Sequence, residues 1–283
     1  MKILCIDIGA SKMHALLFQE RFIEAEYRLV TPQGKRGFLK VLKGLINQAQ
    51  SKGKLDAMGI GVAGVVDAKN GKLIFSPRLK FMNGFNLLKW AGVIGRCRMV
   101  VENDARAFVI GEKLLGAGKK SKSLVGVTLG TGIGSGLIIN ERIWKGHTNS
   151  AGEIGHMFVE LTPRIKEFEF LAGMSYFGES LDIFKGVPYH KIRKIPRSLI
   201  RKFDRYAYFL AAGLANIINI INPEMIVLGG GLSKLSRFYL PKTKVFLSRI
   251  IFSGKRNSTK IRVSFLGDRA IPWGLWGIIN KRV

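Results

Sequence analysis

A chain of 283 residues can bury a substantial core, and its length favours two lobes over one. A hydrophobic content of 47% and 34 glycines are typical of a globular α/β protein and exclude a disordered one. Its apolar runs fall short of the roughly 20 residues that a membrane-crossing helix needs, and its two separated cysteines form neither a disulfide framework nor a CxxC motif. The chain enters a strand at once, without a signal-peptide pattern, so we expect a cytoplasmic protein with no membrane partner.

Basic residues dominate the charge, with 46 Lys and Arg against 19 Asp and Glu and a net charge of +27. The excess is densest from Lys185 to Arg205 and from Lys234 to Arg262. Such a field attracts nucleic acid, polyphosphate or anionic lipid. The alternative is a general basic bias on solvated faces. We favour this alternative and expect nucleic acid to bind only weakly and non-specifically, because neither stretch has a helix-turn-helix, zinc-finger or aromatic RNA-binding signature.

The first half of the chain reads as a strand meander, a helix, two more strands and a helix. The strands are predicted at Lys2 to Ile8, His14 to Phe18, Phe22 to Val30, Ala57 to Val62 and Arg98 to Val101, and the helices at Phe38 to Ala49 and Ala105 to Leu115. The turn that begins at Asp7 is a candidate phosphate site. Asn103 and Asp104 follow the last strand, at the edge where open α/β sheets bind ligands.

The same pattern restarts in the second half. Its predicted parts are the strand Leu124 to Leu129, the glycine turn Gly130 to Gly134, the strand Gly136 to Ile139 with a hairpin through Asn140-Glu141-Arg142, the helix Ser198 to Ile221, the strand Met225 to Leu228 with the turn Gly229-Gly230-Gly231, and the helix Ile271 to Asn280. Two glycine turns that each follow an apolar strand, with a carboxylate motif between them, describe a divided nucleotide site around an acceptor site. We therefore predict two βββαβα-like halves with a ligand cleft between them.

We place the boundary between the halves after residue 112. A small lobe at 1–112 holds the first phosphate motif and part of the acceptor site, and a large lobe at 113–283 holds the second phosphate motif and the turn Gly229-Gly230-Gly231. The final helix, about 270–283, is predicted to pack back on the small lobe.

A set of short motifs resembles one known family over nearly the whole chain. The motifs are Asp7-Ile8-Gly9, Gly61-Val62-Ala63-Gly64, Glu102-Asn103-Asp104-Ala105, Gly130-Thr131-Gly132-Ile133-Gly134, Ala151-Gly152-Glu153-Ile154-Gly155-His156-Met157, Asn222-Pro223-Glu224 and Leu228-Gly229-Gly230-Gly231. The chain resembles the ROK family (repressors, open reading frames, kinases) of the actin-like ATPase and sugar kinase superfamily. The resemblance implies an α/β fold of two actin-like (ribonuclease H-like) lobes. ROK repressors carry a winged helix ahead of this core, and here the core begins at residue 3, which points to the kinase branch.

Asp104 is the predicted catalytic residue. Phosphoryl transfer to a sugar hydroxyl needs a group that accepts the hydroxyl proton, and a carboxylate at a strand end can do so. From the residues alone, an N-cap role for Asn103 or Asp104 is an equally good interpretation. The resemblance favours the catalytic role for Asp104.

The resemblance also implies the binding residues. The sugar site is predicted to contain Gly64, Asn83, Asn103, Asp104, Glu153, His156 and Glu169. The nucleotide site is predicted to contain Asp7, which holds Mg²⁺ through water, together with Gly9, Ser11, Lys12, Gly130, Thr131, Gly132, Gly134, Gly229, Gly230 and Gly231. For several of these, a structural interpretation stays open. Asn83-Gly84 is an ordinary turn signal, His156 fits a structural histidine, Asp7 fits a turn, and three glycines fit a tight turn.

One motif of the family is missing. Many ROK kinases hold zinc through a His and a Cys-x-Cys-Gly-x-x-Gly-Cys run, but Phe158 to Phe168 contains no cysteine. We therefore expect no zinc and interpret His156 as a sugar contact.

The leading hypothesis is an ATP- and Mg²⁺-dependent kinase of the glucokinase type that phosphorylates a hexose, at its 6-hydroxyl, in carbohydrate metabolism and glycolysis. N-acetylmannosamine, N-acetylglucosamine, fructose and allose kinases share these motifs. A second hypothesis replaces ATP by inorganic polyphosphate, in view of the charge of +27 and the missing zinc motif. A third is a sugar-sensing or nucleic-acid-binding protein on a kinase fold. Relatives are often dimers, so a homodimer is also considered.

Overall fold

The computed structural model describes residues 1–160, 165–254 and 258–282. Three expectations extend beyond these ranges. The cysteine-free segment includes residues 161–164, which lie outside the described residues. The second basic stretch includes residues 255–257 and the predicted final helix includes residue 283, which also lie outside them.

The described chain folds into alternating strands and helices, with short 3₁₀ turns between some of them. In chain order the strands are β1 (Lys2–Ile8), β2 (Lys12–Gln19), β3 (Phe22–Val30), β4 (Ala57–Val62), β5 (Val65–Asp67), β6 (Lys72–Phe75), β7 (Arg98–Asn103), β8 (Leu124–Leu129), β9 (Ile133–Ile139), β10 (Arg142–Trp144), β11 (Phe158–Glu160), β12 (Lys166–Glu167), β13 (Met225–Gly229) and β14 (Lys260–Val263). The α-helices are α1 (Lys35–Gln50), α2 (Leu87–Gly95), α3 (Asp104–Leu114), α4 (Phe168–Ala172), α5 (Arg197–Ile221), α6 (Leu240–Ile250) and α7 (Ala270–Ile279).

Two sheets with the same strand order form the framework. In the first the order is β3-β2-β1-β4-β7, and in the second it is β10-β9-β8-β13-β14. In each sheet the central strand, β1 or β8, runs antiparallel to the next strand along the chain and parallel to its other neighbour. This repetition confirms the predicted α/β fold of two similar lobes.

The predicted elements are present, but three of the strands extend by two or more residues beyond the end that the hydrophobic pattern indicates. β2 begins at Lys12 because its ladder with β3 continues to the pair Lys12 and Val30. β9 begins at Ile133 because its ladder with β8 continues to Leu129. β7 runs on to Asn103 by pairing with the end of β4. Backbone pairing therefore extends these strands into the polar segments that reach the cleft.

Helices α3 and α7 lie against each other between the two sheets. Leu275 and Ile279 of α7 pack with Ile3 and Cys5 of the first sheet in one apolar cluster. The two helix backbones approach closely, since a Cβ added at Gly274 would overlap the carbonyl of Ala107. The final helix thus joins the sheet formed by the beginning of the chain.

The largest apolar core lies in the second half and surrounds α5. This helix is amphipathic and ends where Asn222 adopts a left-handed conformation ahead of Pro223. Within the described residues, no helix has the length and apolar character needed to cross a membrane.

Candidate active site

A cleft of about 290 Å³ lies where the carboxyl ends of β1, β7, β8 and β13 meet. It brings together these predicted site residues: Asp7, Gly9, Ser11, Lys12, Gly64, Asn103, Asp104, Gly130, Thr131, Gly132, Gly134, Glu153, His156, Glu169, Gly230 and Gly231. Asn83 and Gly229, which were predicted with them, do not line the cleft. Asn83 Oδ1 accepts a hydrogen bond from the Ser76 N–H at 2.8 Å, and Gly229 lies against the ring of Phe108.

Asp104 begins α3 directly after β7 and is only partly exposed. Burial raises the pKa of its carboxyl to about 6, and the nearby Glu153 carboxylate adds to the shift. The Ala105 N–H donates to Asp104 Oδ1 at 2.9 Å, and this hydrogen bond opposes the rise in pKa. The carboxyl is therefore ionised at neutral pH and still able to take a proton.

Asn103 is the N-cap of α3. Its Oδ1 accepts from the Arg106 N–H, and its Nδ2 donates to the Gly64 carbonyl, both at 2.9 Å. The N-cap interpretation is thus confirmed for Asn103. Gly64 has φ of +126°, and a Cβ at this position would clash with the carbonyl of Phe75, so the turn requires glycine.

A buried ion pair supports the base of this helix. Arg106 Nε donates to Glu102 Oε1 at 2.7 Å, and Lys145 Nζ donates to Glu102 Oε2 at 2.7 Å. Burial acts to raise the pKa of the Glu102 carboxyl, but these two cations hold that pKa below its usual range. The positive charge of Arg106 also lowers the pKa of Asp104 and of Glu153. The Glu102 and Arg106 pairing was not predicted from the sequence, although the residues are four apart.

Asp7 lies near the end of β1 and faces the same cleft. Burial raises the pKa of its carboxyl well above the usual range, and the negative charges of Asp104 and Asp268 add to the effect. Lys12, at the other end of the turn, opposes it. A buried carboxylate whose charge is destabilised by two neighbouring carboxylates, beside two glycine turns, forms a site suited to a cation with bound phosphates.

The residues predicted to bind sugar form a second polar group in the cleft. Burial raises the pKa of Glu153, and the charge of Glu169 adds to it. His156 Nδ1 lies 2.9 Å from Glu167 Oε2, and this hydrogen bond raises the pKa of the imidazole. Ligand atoms of His156, Glu167 and Glu169 lie within 4.8 Å of one another. Glu167 was not predicted and is positioned by the pairing of β12 with β11.

Asp268 is a further cleft residue that the sequence reading missed. Its carboxylate accepts from Lys12 at 3.2 Å, from Arg28 at 3.2 Å and from Lys234 at 3.4 Å. Burial opposes ionisation, but Lys12 and Lys234 hold the pKa of Asp268 at about 2. Asp268 lies just before α7, much as Asp104 lies at the start of α3. This similarity of position could have predicted Asp268 from the sequence. Arg78 also lines the cleft, and no sequence pattern marks it.

With this geometry in view, the sequence matches the ROK family over residues 3–175 and 191–280. The chain belongs to the ROK family. It is 27% identical to a glucokinase of Thermotoga maritima, an alignment that covers 100% of this chain and 98% of the relative. It is 26% identical to a xylose repressor of Caldicellulosiruptor bescii, covering 96% of this chain and 76% of the repressor. The relatives of this chain thus include both an enzyme and a repressor.

A solved ROK structure has the same fold. A ROK family glucokinase from Streptomyces griseus in complex with glucose and AMPPNP superposes with a TM-score of 0.85, covering 98% of this chain and 99% of that one, at 24% sequence identity. At this identity the likeness establishes the fold of two actin-like lobes.

Proposed function

We propose that this ROK protein is an ATP-dependent kinase of the glucokinase type that phosphorylates the 6-hydroxyl of a hexose. The observation that carries the proposal is the position of Asp104. It lines the same cleft as both phosphate turns, and its pKa of about 6 suits a general base that works near neutral pH. A protein that only sensed sugar would have no chemical need for such a group.

In the proposed reaction, the acceptor hydroxyl oxygen attacks the γ-phosphorus of ATP while its proton passes to Asp104. The bond between the γ-phosphorus and the β,γ-bridging oxygen breaks, and ADP leaves with that electron pair. Backbone N–H groups of the Gly130 to Gly134 turn bind the phosphates, and Gly9, Ser11 and Lys12 approach them from the other lobe. Gly230 and Gly231, which line the cleft, would admit the adenosine, whereas Gly229 packs against Phe108 behind them.

Asp7 is the residue proposed to hold Mg²⁺ through water. The negative charges around it, from Asp104 and Asp268, are the kind that a divalent cation offsets, and carboxylate oxygens are the ligands that Mg²⁺ prefers. When bound, the ion would neutralise charge on the phosphates. On the opposite side, Asn103, Glu153, His156 and Glu169 would bind the sugar hydroxyls, because they offer directional donors and acceptors.

One observation favours polyphosphate as an alternative donor. A second cleft opens beside the first and shares Gly267 and Asp268 with it. Its basic lining residues are Arg28, Lys234 and Arg269, which pair with the carboxylates of Glu26 and Asp268 but outnumber them. A long anionic chain whose end reaches the phosphate turns could continue into this basic cleft, where a nucleotide would place its base and ribose elsewhere.

The experiment that tests the proposal is a coupled phosphorylation assay on the purified protein. Hexoses and N-acetylhexosamines are offered with ATP and Mg²⁺, and separately with polyphosphate. Turnover of a hexose with ATP is the expected result. Turnover of an N-acetylhexosamine would change the acceptor, and turnover with polyphosphate alone would change the donor.

Absence of turnover with every pair would contradict the proposed kinase activity. Calorimetric binding of a sugar under those conditions would then favour the sensing role. Titration with labelled DNA and RNA at physiological salt would separate that role from nucleic-acid binding.

A further inference from the structure

Arg78 is a cation of the cleft to which the mechanism above gives no role. It belongs to the segment that follows β6 and lines the cleft opposite the glycine turn of the second lobe. A Cβ added at Gly132 would lie 3.3 Å from Arg78 Nη2. The guanidinium is therefore close to the backbone that binds phosphates in the proposed mechanism.

The positive charge of Arg78 has no ion-pair partner among the residues that the structure describes. Lys12, the other long cation of the cleft, is paired with Asp268. Within the described ranges, Arg78 makes no hydrogen bond and no ion pair. Arginine presents a planar set of donors that matches phosphate oxygens and stays charged throughout the pH range of an enzyme assay.

The segment that carries Arg78 is held in place by buried contacts. The Ser76 N–H donates to Asn83 Oδ1 at 2.8 Å, and the Leu79 N–H donates to Ser76 Oγ at 3.1 Å. Ser76 and Leu79 are both fully buried. Asn83 thus anchors the Arg78 segment from outside the cleft, and the guanidinium extends from a fixed backbone.

We propose that Arg78 contacts the phosphoryl group during its transfer. Resting on the proposed kinase function, this assignment gives the first lobe a donor that faces the Gly130 to Gly134 turn across the group in transit. Charge on the equatorial phosphoryl oxygens is stabilised from both sides, by backbone N–H groups of one lobe and the guanidinium of the other. Arg78 takes no proton, and the bonds that form and break are those given above.

Glu169 presents the competing role for this arginine. Its Oε2 lies beside the same glycine, since a Cβ at Gly132 would overlap it. An Arg78 that served only to orient Glu169 would act on the sugar and not on the phosphoryl group. The two roles predict different kinetic effects, because Glu169 belongs to the sugar side of the cleft.

The test compares Arg78→Ala and Arg78→Lys with the matched control Lys80→Ala, which removes an exposed cation two residues along the same segment. For Arg78→Ala, kcat should fall about 100- to 1000-fold, as on removal of one preorganised donor at a transition state, while the calorimetric Kd for sugar stays within about twofold of wild type. The kcat of Arg78→Lys should lie between those of wild type and Arg78→Ala, because lysine keeps the positive charge but lacks the planar set of donors. Lys80→Ala should match wild type.

A second readout does not depend on turnover. Wild-type protein with sugar should bind ADP with aluminium fluoride, which imitates the transferring phosphoryl group, more tightly than ADP alone. Arg78→Ala should lose this gain and keep its affinity for ADP. Free guanidinium chloride at millimolar concentration should restore part of its kcat, and thermal melting establishes that the variant is folded.

Two outcomes would overturn the assignment. One is a kcat of Arg78→Ala within about threefold of wild type, and the other is a loss confined to sugar affinity, which would assign Arg78 to Glu169 and the sugar. A wild-type protein without any turnover would remove the kinase function and this role together, whereas an active wild type with an unaffected variant removes the role of Arg78 alone.

Discussion

Asp104 and Asp268 occupy related places in the two halves of the molecule and have opposite electrostatic environments. Each follows the last strand of its sheet, Asp104 as the first residue of α3 and Asp268 just before α7, the two helices that pack together between the sheets. Burial and the charge of Glu153 raise the pKa of Asp104 to about 6. Although burial opposes it, Lys12 and Lys234 hold that of Asp268 at about 2.

The difference shows that burial and neighbouring charges, and not the position in the repeated fold, set the pKa of each carboxylate. Asp104 follows β7 without an intervening loop and has no lysine or arginine ion pair among the described residues. Asp268 comes after a longer connection and pairs with Lys12 from the first lobe and Lys234 from the second. We infer that Asp104 acts in the reaction, whereas Asp268 stabilises the contact between the two lobes.

The largest expected effect comes from exchanging each carboxylate for its amide. Asp104→Asn should lower kcat by about 100- to 10,000-fold, the contribution typical of a positioned general base, and leave the Kd for sugar nearly unchanged. Asp268→Asn should lower kcat only severalfold. The coupled assay and calorimetric titration with sugar measure both quantities. Wild-type turnover by Asp104→Asn would show that Asp104 is not the base.

The same two variants should change stability in opposite directions. An Asp whose folded pKa lies above its unfolded value destabilises the fold at neutral pH, so Asp104→Asn should stabilise the protein by at most about 3 kcal/mol at pH 7. This gain should shrink as pH falls from about 6 to 4, where both forms of the aspartate become protonated. Asp268 has a lowered pKa, so Asp268→Asn should cost at most about 2.5 kcal/mol above pH 4, a cost that disappears toward pH 2.

Urea unfolding at several pH values measures both free energies of unfolding. Lys242→Gln, which removes an exposed ion pair with Asp204, is the control and should change stability by less than about 1 kcal/mol. A loss of stability in Asp104→Asn at pH 7 would contradict the unfavourable electrostatic environment assigned to the Asp104 carboxylate.

The comparison also separates what the sequence could predict from what it could not. Alternating apolar residues and glycine turns predicted both sheets, and the place of Asp104 followed from a strand that leads directly into a helix. These signals are local. Lys12 and Asp268 are 256 residues apart, and no periodicity or turn preference records such a pairing. The environment that distinguishes the two aspartates was therefore beyond a reading of the sequence.

Arg78 and Glu167 were missed for a related reason. Arg78 lies in an irregular segment after β6, and Glu167 lies in the two-residue strand β12. The proposed role of each depends on a residue that tertiary folding brings near it, Gly132 for Arg78 and His156 for Glu167. Asn83 illustrates the opposite case. An amide beside a glycine was read as a sugar contact, but its oxygen is used by the backbone of Ser76.

The smallest expected effect is on the pH profile, and it gives the most direct check of the contrast. A general base must be ionised to act, so kcat/KM should fall on the acid side with a pKa of about 6, roughly fivefold between pH 6 and pH 5 and roughly tenfold for each further pH unit. Asp268 stays ionised over this range, so Asp268→Asn should leave the midpoint of that limb in place while lowering the plateau slightly. Removing the charge of Glu153, which adds to the raised pKa, should shift the midpoint to lower pH, although Glu153→Gln also weakens sugar binding. Profiles recorded for these three proteins at constant ionic strength would decide the matter: a limb that moves with Asp268 and not with Glu153 would reverse the roles assigned to the two aspartates.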